Sequence, residues 1–545
     1  MRGKVDGRGI TRVKSGCRTC KLRKVKCDEG RPSCSRCLST GRVCDGYGIW
    51  GGGGNSYHQR QHPLILDEDS PGPYPQVAVV LPTATTNDLR YLEWFEHRTV
   101  KKIPGVFALT FWDTLIFQVC RNEPAVFHAI LALSCIHRRE LLDNDENKIS
   151  SEHEKFILQH YSKAISHLGP HFRSKDRSST RVALITCVVF ICLEYLRGRF
   201  QTALIHLKNG LKVLREMQTD TVVDKQGIII SKPFPDITDD WISDAFYRLY
   251  IQVMLLKQNY QPCLALQHPR PDTEPLIFYS FNEAWQQMEG LLHKTFLLTE
   301  GNREHSPSED QTMPESSLLL QRYRHIKTEL AQWLKTYELS QETLQDTKRR
   351  VYQLFMSYHT MINIMADASL RPNDESVFDS YTKEFVAMLE KLINIRKFRL
   401  PELHIHRPLP GYCMNMSRSV IDIGWIPPLY YIALKCRVHR VRLQAIRLME
   451  TTFHREGIWD AKIAAYVARK AMVIEEQDFY KGFDTADDFP IFSSPSDDDL
   501  SLPVLPRSYR ISKVEVALSD NHMNDILLFC KQDQDNREHT TISIT

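Results

Sequence analysis

Six cysteines, Cys17, Cys20, Cys27, Cys34, Cys37 and Cys44, fall within 28 residues of a 545-residue chain that holds fourteen in all. They read C-x2-C-x6-C-x6-C-x2-C-x6-C, and each member of the first triplet recurs seventeen positions later in the second. Zinc takes four tetrahedral ligands, and thiolate sulfur is among the best. Three cysteines per half leave each metal one ligand short, so the spacing calls for two zinc ions that share two thiolates. Cys17 and Cys34, the first of each half, are best placed to be shared; Cys20 and Cys27 complete one ion, Cys37 and Cys44 the other. Competing readings explain less. A disulfide framework belongs to secreted chains, and the basic stretch 1–16 has no apolar run of the secretory kind. A single-zinc ribbon on Cys17, Cys20, Cys34 and Cys37 strands Cys27 and Cys44, and no histidine precedes His58 to serve a RING-type site.

Charge is divided as unevenly as sulfur. The whole chain carries a formal +4, but residues 1–50 hold thirteen Lys/Arg against four Asp/Glu, a formal +9, which leaves −5 for the rest. Six thiolates and two zinc ions bring the head to about +7. Between Cys20 and Cys27 four of six residues are basic; between Cys37 and Cys44 only Arg42 is. A short helix starting near Cys17 aims that basic run at a polyanion, and a metal cluster holds the charges in place, which favours nucleic acid over a solvated charge run.

Residues 17–44 closely resemble the DNA-binding domain of the fungal zinc binuclear cluster transcription factors, including Pro32 in the loop between the halves. That resemblance implies a first helix in the major groove at a CGG triplet, with a lysine of the basic run on the guanines. By position this is Lys24, with Arg23 beside it. Lysine and arginine donating to guanine O6 and N7 form the commonest specific major-groove contact. Arg18, Lys21, Lys26 and Arg36 suit phosphates, which position a domain without reading sequence. The arm at 1–16 is a phosphate-binding or nuclear import segment, or simply a basic tail.

Residues 48–87 read as a flexible linker, with four consecutive glycines from Gly51 and then Pro63, Pro71, Pro73, Pro75 and Pro82. No a/d heptad survives there, so the coiled coil that dimerises many family members is not expected; a dimer through the body stays open. From 88 to 474 the pattern is all-α. Asp88 is the expected cap of the first helix, Pro124 opens another, and 182–193 is apolar nearly all round, a central core helix too short to span a bilayer. Gly198 separates it from a helix at 200–217. Later helices are expected near 239–257, 281–298, 316–337, 342–368, 380–397, 426–449 and 459–473, with a loop at 300–315. Nine acidic residues and five aromatics crowd 475–500: a solvated activation-type segment or an ordered acidic loop. Alternation at Val514, Val516 and Leu518, then 526–529, suggests a β-hairpin-like stretch over 501–532, followed by a tail at 533–545. The body also resembles the fungal-specific transcription factor regulatory region, through 91–95, 122–137, 455–460 and 500–510, which implies an all-α regulatory module that senses a metabolite in some members or binds coregulators, without identifying a ligand.

Signals for catalysis are weak. His153, Glu154 and His160 lack the spacing of a zinc-protease pair, His404 and His406 read better as solvated or core histidines, and no phosphate-cradling loop or nucleophile elbow is present. The other eight cysteines are scattered along apolar helices as core residues. The expectation is a soluble, nuclear, sequence-specific DNA-binding transcription factor of the RNA polymerase II type, not an enzyme, with no membrane partner. It consists of a small two-zinc cluster domain joined to a large all-α regulatory domain. The alternative is a protein–protein adaptor or corepressor whose cluster is mainly structural.

Overall fold

A computed structural model describes residues 20, 23, 25–28, 35–40, 84–105, 107, 109–142, 151–174, 176–217, 221–223, 229–231, 237–256, 277–304, 314–344, 349–372, 374–397, 419–483, 485, 487–520, 526–532 and 540–544. They divide into two units, one up to Thr40 and one from Ala84 onward. The linker and the basic arm lie outside the described residues.

The larger unit starts with α1, Thr86–Trp94. Sequence reading assigns its cap to Asp88, but Thr85 is the cap. Its hydroxyl accepts from the Asp88 amide at 3.2 Å, and the Asp88 carboxylate accepts from the Thr85 amide at 2.9 Å. This reciprocal pair satisfies two orphan donors at once. Asp88 is itself buried and meets His160 Nε2 at 3.2 Å, which pins α1 to α3. Next come α2, Pro124–Leu142, α3, Ser151–Arg173, α4, Arg177–Arg197, and α5, Phe200–Met217. Proline at the first position of α2 loses no hydrogen bond there. Asp176 caps α4, accepting from the Ser179 amide at 2.8 Å.

α4 runs well beyond its apolar centre and is, among the described residues, the one helix long and apolar enough to cross a membrane. Yet 72% of that window is buried, on all sides, by protein. It is the core helix that 182–193 suggests, extended at both ends by polar turns that the apolar count leaves out. Gly198 ends it at φ +72°, a left-handed turn that costs a non-glycine residue about 1 kcal/mol.

An aromatic core is built where α6, Ile237–Leu256, α7, Phe281–Glu304, α8, Pro314–Leu339, and α9, Arg349–Ala368, assemble. Phe107 stacks on Trp285 at 4.4 Å, and Trp333 on Tyr337 at 5.0 Å, with Phe355 against both Trp285 and Tyr337. α7 continues to Glu304, into the start of the stretch 300–315 expected to be a loop, because polar side chains do not end a helix unless they also cap it; 305–313 lie outside the described residues. α9 starts at Arg349, seven residues later than expected, after a turn at 341–344.

α10, Thr382–Lys397, follows a 3-10 turn at Glu375–Tyr381. The single helix expected over 426–449 is broken into α11, Ile426–Lys435, and α12, His439–Glu450. Cys436 turns extended, at φ −77° and ψ 128°. The break swings Arg437 into the interior, where two carboxylates receive it. α13, Ala461–Glu476, is the last long helix among the described residues.

Three small sheets trim the helices. β1, Thr221–Val223, and β2, Ile229–Ser231, form a hairpin that the sequence does not announce. β3, Ser419–Val420, runs parallel to β4, Arg455–Glu456, which pairs antiparallel with β5, Trp459–Asp460. β6, Ile511–Ala517, pairs with β7, Ile526–Gln532, as the alternation suggests, with Val514 opposite Cys530. A further strand, β8, Thr540–Ile544, joins the far side of β7, so the stretch expected to be a tail contributes to the sheet.

Glu456 holds the middle of this unit together. It is fully buried, and its carboxylate accepts from the amides of Gly424, Trp425 and Ile426 at 2.8–3.1 Å. It thereby supplies the anion at the N-terminus of α11, where Pro427 and Pro428 have no amide hydrogen to need one. His454 Nε2 adds a contact at 3.2 Å. Glu456→Ala would leave three buried amides unsatisfied, so urea unfolding should show a loss of about 3–5 kcal/mol. Gly198→Ala, where a Cβ meets open space, should cost only about 1 kcal/mol.

Candidate nucleic-acid interface

The N-terminal unit is described at its turns. Cys20 has helical backbone and is fully buried; Cys27 is 5% exposed. Two enclosed thiols in so polar and basic a stretch need a reason. Thiolate donors of this kind suit zinc. The Val25 amide donates to the Cys20 carbonyl at 3.0 Å, closing the turn that presents the basic run. Cys37 lies in a single helical turn, Ser35–Leu38. Cys17, Cys34 and Cys44, together with Arg18, Lys21 and Lys24, lie outside the described residues.

Asp28 was not singled out from the sequence, yet it joins the two halves of the repeat. Its carboxylate accepts from the Ser35 and Arg36 amides, both at 2.9 Å, which are the first free donors of the second-half helical turn. Those amide hydrogens hold its carboxyl down to about 2. A signal for it was present: Asp28 follows Cys27, and Asp45 follows Cys44 at the same place in the seventeen-residue repeat.

A second tie runs from Arg23. Its guanidinium donates to Thr40 Oγ1 at 3.0 Å, and Thr40 Oγ1 in turn donates to the Arg36 carbonyl at 3.0 Å. Arg23 is thus half-buried and engaged within the unit, whereas Lys26 and Arg36 are exposed. Of the residues expected at the interface, these two are open to solvent and Arg23 links the halves.

Elsewhere, chemistry-bearing residues are used for packing. His160, expected not to be a metal ligand, lies between Asp88 and His128, whose Nδ1 is 3.0 Å from its own. Burial pulls both histidines down to about 4 and keeps them neutral at neutral pH. Among the described residues no three His, Cys, Asp or Glu side chains cluster as a metal site. Cys120, Cys135, Cys192, Cys436 and Cys530 are buried and Cys187 nearly so; Cys263, Cys413, His404 and His406 lie outside the described residues. The acidic stretch is ordered against α12. Phe489 lies under Arg440, 3.1 Å from ring centre to guanidinium carbon, Asp487 meets His439 at 2.9 Å, and Gln444 donates to the carbonyls of Ile491 and Ser493.

Two families match this chain. Residues 15–49 match the fungal Zn(2)-Cys(6) binuclear cluster domain, and residues 78–254 the fungal specific transcription factor domain. Among similar proteins, the aspercryptin biosynthesis cluster-specific transcription regulator atnN of Emericella nidulans is 25% identical over 86% of this chain and 88% of its own. The transcription regulator lscL of Purpureocillium lilacinum is 25% identical over 37% of this chain and 49% of its own. The transcription factor phomR of Diaporthe leptostromiformis is 57% identical over 37 residues, 7% of this chain and 6% of its own. No solved structure matches. These relatives are transcription regulators, not enzymes, and the order of the two domains is that of such a regulator. The chain carries a fungal Zn(2)-Cys(6) binuclear cluster domain followed by a fungal specific transcription factor domain.

Proposed function

We propose that the chain is a nuclear, sequence-specific regulator of RNA polymerase II transcription that reads CGG-type triplets. The observation that carries this reading is the pairing of enclosed thiols with outward cations: Cys20 and Cys27 buried, Lys26 and Arg36 exposed, on one small basic unit. Cys17, Cys20, Cys27, Cys34, Cys37 and Cys44 would hold two zinc ions, with Cys17 and Cys34 shared. When bound, the metal supplies a rigid, redox-inert anchor in place of an apolar core. Lys24 would donate to guanine O6 and N7. Arg23, tied to Thr40, would add a contact only at the cost of that bond, so it serves as much to set the angle of the basic run. Arg18, Lys21, Lys26 and Arg36 would take phosphates.

The body at 88–474 would act through coregulator proteins, and any dimer would form there, since the linker has no heptad. The relative named for aspercryptin biosynthesis matches nearly the whole chain, which supports a cluster of biosynthetic genes as the target class.

Four measurements follow from this. Metal analysis of the purified chain should find two zinc ions; one per chain overturns the shared-thiolate arrangement. Lys24→Ala should weaken binding to a CGG duplex by about 1–3 kcal/mol and flatten discrimination at one or two G·C pairs, while Lys26→Ala should weaken all duplexes alike and lower the salt slope by about 1. Retained genomic occupancy after loss of both Lys24 and Arg23 would instead favour an adaptor with a structural cluster. Asp28→Ala should speed loss of zinc to a chelator about tenfold, as removal of a supporting hydrogen bond near a metal site does.

A further inference from the structure

The body contains a cavity where packing would normally leave none. Its wall is drawn from α6, α7, α9, α11, α13, β5 and β6, and its apolar lining includes Leu256, Phe296, Met361, Met365, Trp459 and Val514. The cavity has a volume of about 90 Å³. For scale, an apolar cavity of roughly 150 Å³ admits benzene, so a single ring enters here only as the wall gives way. The two methionines give the wall some freedom, because their unbranched thioethers repack cheaply. Arg371, 67% exposed, and Pro372 mark the mouth.

The charges in the wall are already matched. Glu375 takes Lys435 at 2.7 Å and Arg437 at 3.0 Å, and Glu475 takes Arg437 at 2.8 Å and Arg442 at 2.5 Å. An anionic guest would face these carboxylates with their cations already committed, and a cationic guest would compete with three buried or half-buried bases. Thr299, Asp374, Tyr430 and Tyr431 complete the polar part of the wall, and Tyr430 is the most telling of them. It is 5% exposed, its ring packs edge-on to Trp459 at 5.2 Å, and its hydroxyl has no hydrogen-bond partner among the described residues. A buried hydroxyl without a partner is costly, and such groups are nearly always satisfied by something.

We propose that this cavity is a ligand site for a small, uncharged, single-ring molecule carrying one hydroxyl or carbonyl oxygen, which pairs with the Tyr430 hydroxyl. A guest there would touch α9, α11, α13 and β6 together, and so would tighten the join between the helical set and the terminal sheet. Size excludes fused rings and long acyl chains, and the paired charges exclude carboxylates and amines.

The test uses the full chain with p-cresol and toluene as probes, two molecules of similar size that differ by the oxygen. Thermal unfolding is followed over a concentration series, because a guest that binds only the folded chain raises the midpoint in a saturable way. The wild type should bind p-cresol at least fivefold more tightly than toluene. Tyr430→Phe, which keeps the volume, should bring p-cresol down to the level of toluene. Ala368→Phe, which fills the cavity from its half-exposed rim, should abolish saturation by both. If Ala368→Phe lowers the midpoint by itself, Met365→Trp serves as the filling variant. Absence of a saturable shift in the wild type, or shifts that persist unchanged in the filling variant, would overturn the site. Equal affinity for the two probes would overturn the role of the Tyr430 hydroxyl. None of these readouts involves DNA, so their failure leaves the DNA-binding reading where it stood.

Discussion

The two arginines at the turn between α11 and α12 hold the C-terminal half of the body in register. Arg437 and Arg442 are 3% and 0% exposed, and between them they face Glu375, Glu475 and Glu476. The carboxylates come from two places: Glu375 from the 3-10 turn before α10, the other two from the last turn of α13. Glu475 also accepts from the Ile511 amide at 2.7 Å, and Arg437 donates to the Ile511 carbonyl at 3.2 Å. One ion network therefore fixes α10, α11, α12, α13 and the first strand of the terminal sheet. Burial opposes the charge on Glu475, but Arg437 and Arg442 outweigh it and keep its carboxyl below the ordinary range. Such a network is weak evidence for added stability, because hydrophobic replacements often do as well. Its value is specificity: only one arrangement of five elements pairs every charge.

That requirement explains the break in the helix. A continuous helix over 426–449 would keep the apolar pattern satisfied, but it would carry Arg437 along the helix surface at a fixed angle. Opening the chain at Cys436 lets Arg437 donate to the Leu434 and Lys435 carbonyls, both at 2.8 Å, and still reach the two glutamates. The orphan carbonyls of the α11 terminus and the buried arginine satisfy each other. His439, at the start of α12, extends the network outward. Burial works against its charge, yet the hydrogen bonds it donates to Glu476 and Asp487 prevail and raise its proton affinity. Asp487 belongs to the acidic stretch, and so part of what looks from the sequence like a solvated negative run is a set of counterions for α12.

What the sequence made legible follows from how local each constraint is. The cysteine pattern was readable because metal coordination demands particular residues at particular spacings within 28 positions, whatever the rest of the chain does. Long periodic helices were readable for the same reason, and so was the left-handed stop at Gly198. Errors arose where the deciding partner is distant in sequence. The cap of α1 depends on which of Thr85 and Asp88 faces outward, and Asp88 is drawn in by His160, seventy-two positions on. The helix break depends on Glu375 and Glu475. β8 is recognisable only once β7 offers it an edge, and a five-residue strand of threonine, serine and isoleucine has no pattern of its own. In the cluster unit, Asp28 was missed because attention went to ligands and cations, although its recurrence as Asp45 made it part of the repeat.

Counting charges along the chain also hides what those charges do. The head carries a formal +9 and the body −5, yet the body is rich in arginine. Arg248, Arg437, Arg440, Arg442 and Arg510 are all less than 7% exposed, and each has a carboxylate within 4 Å. They are spent inside, where they fix geometry and offer nothing to a phosphate. In the head, Lys26 and Arg36 point to solvent and Arg23 is held by a neutral hydroxyl rather than by an acid. A guanidinium bound to a hydroxyl keeps its charge uncancelled, so its field still reaches outward. The same residue type thus acts as a structural rivet in one unit and as a source of attraction for a polyanion in the other. These five buried cations of the body are committed to acids, a contrast with the small unit that the net charges alone do not show.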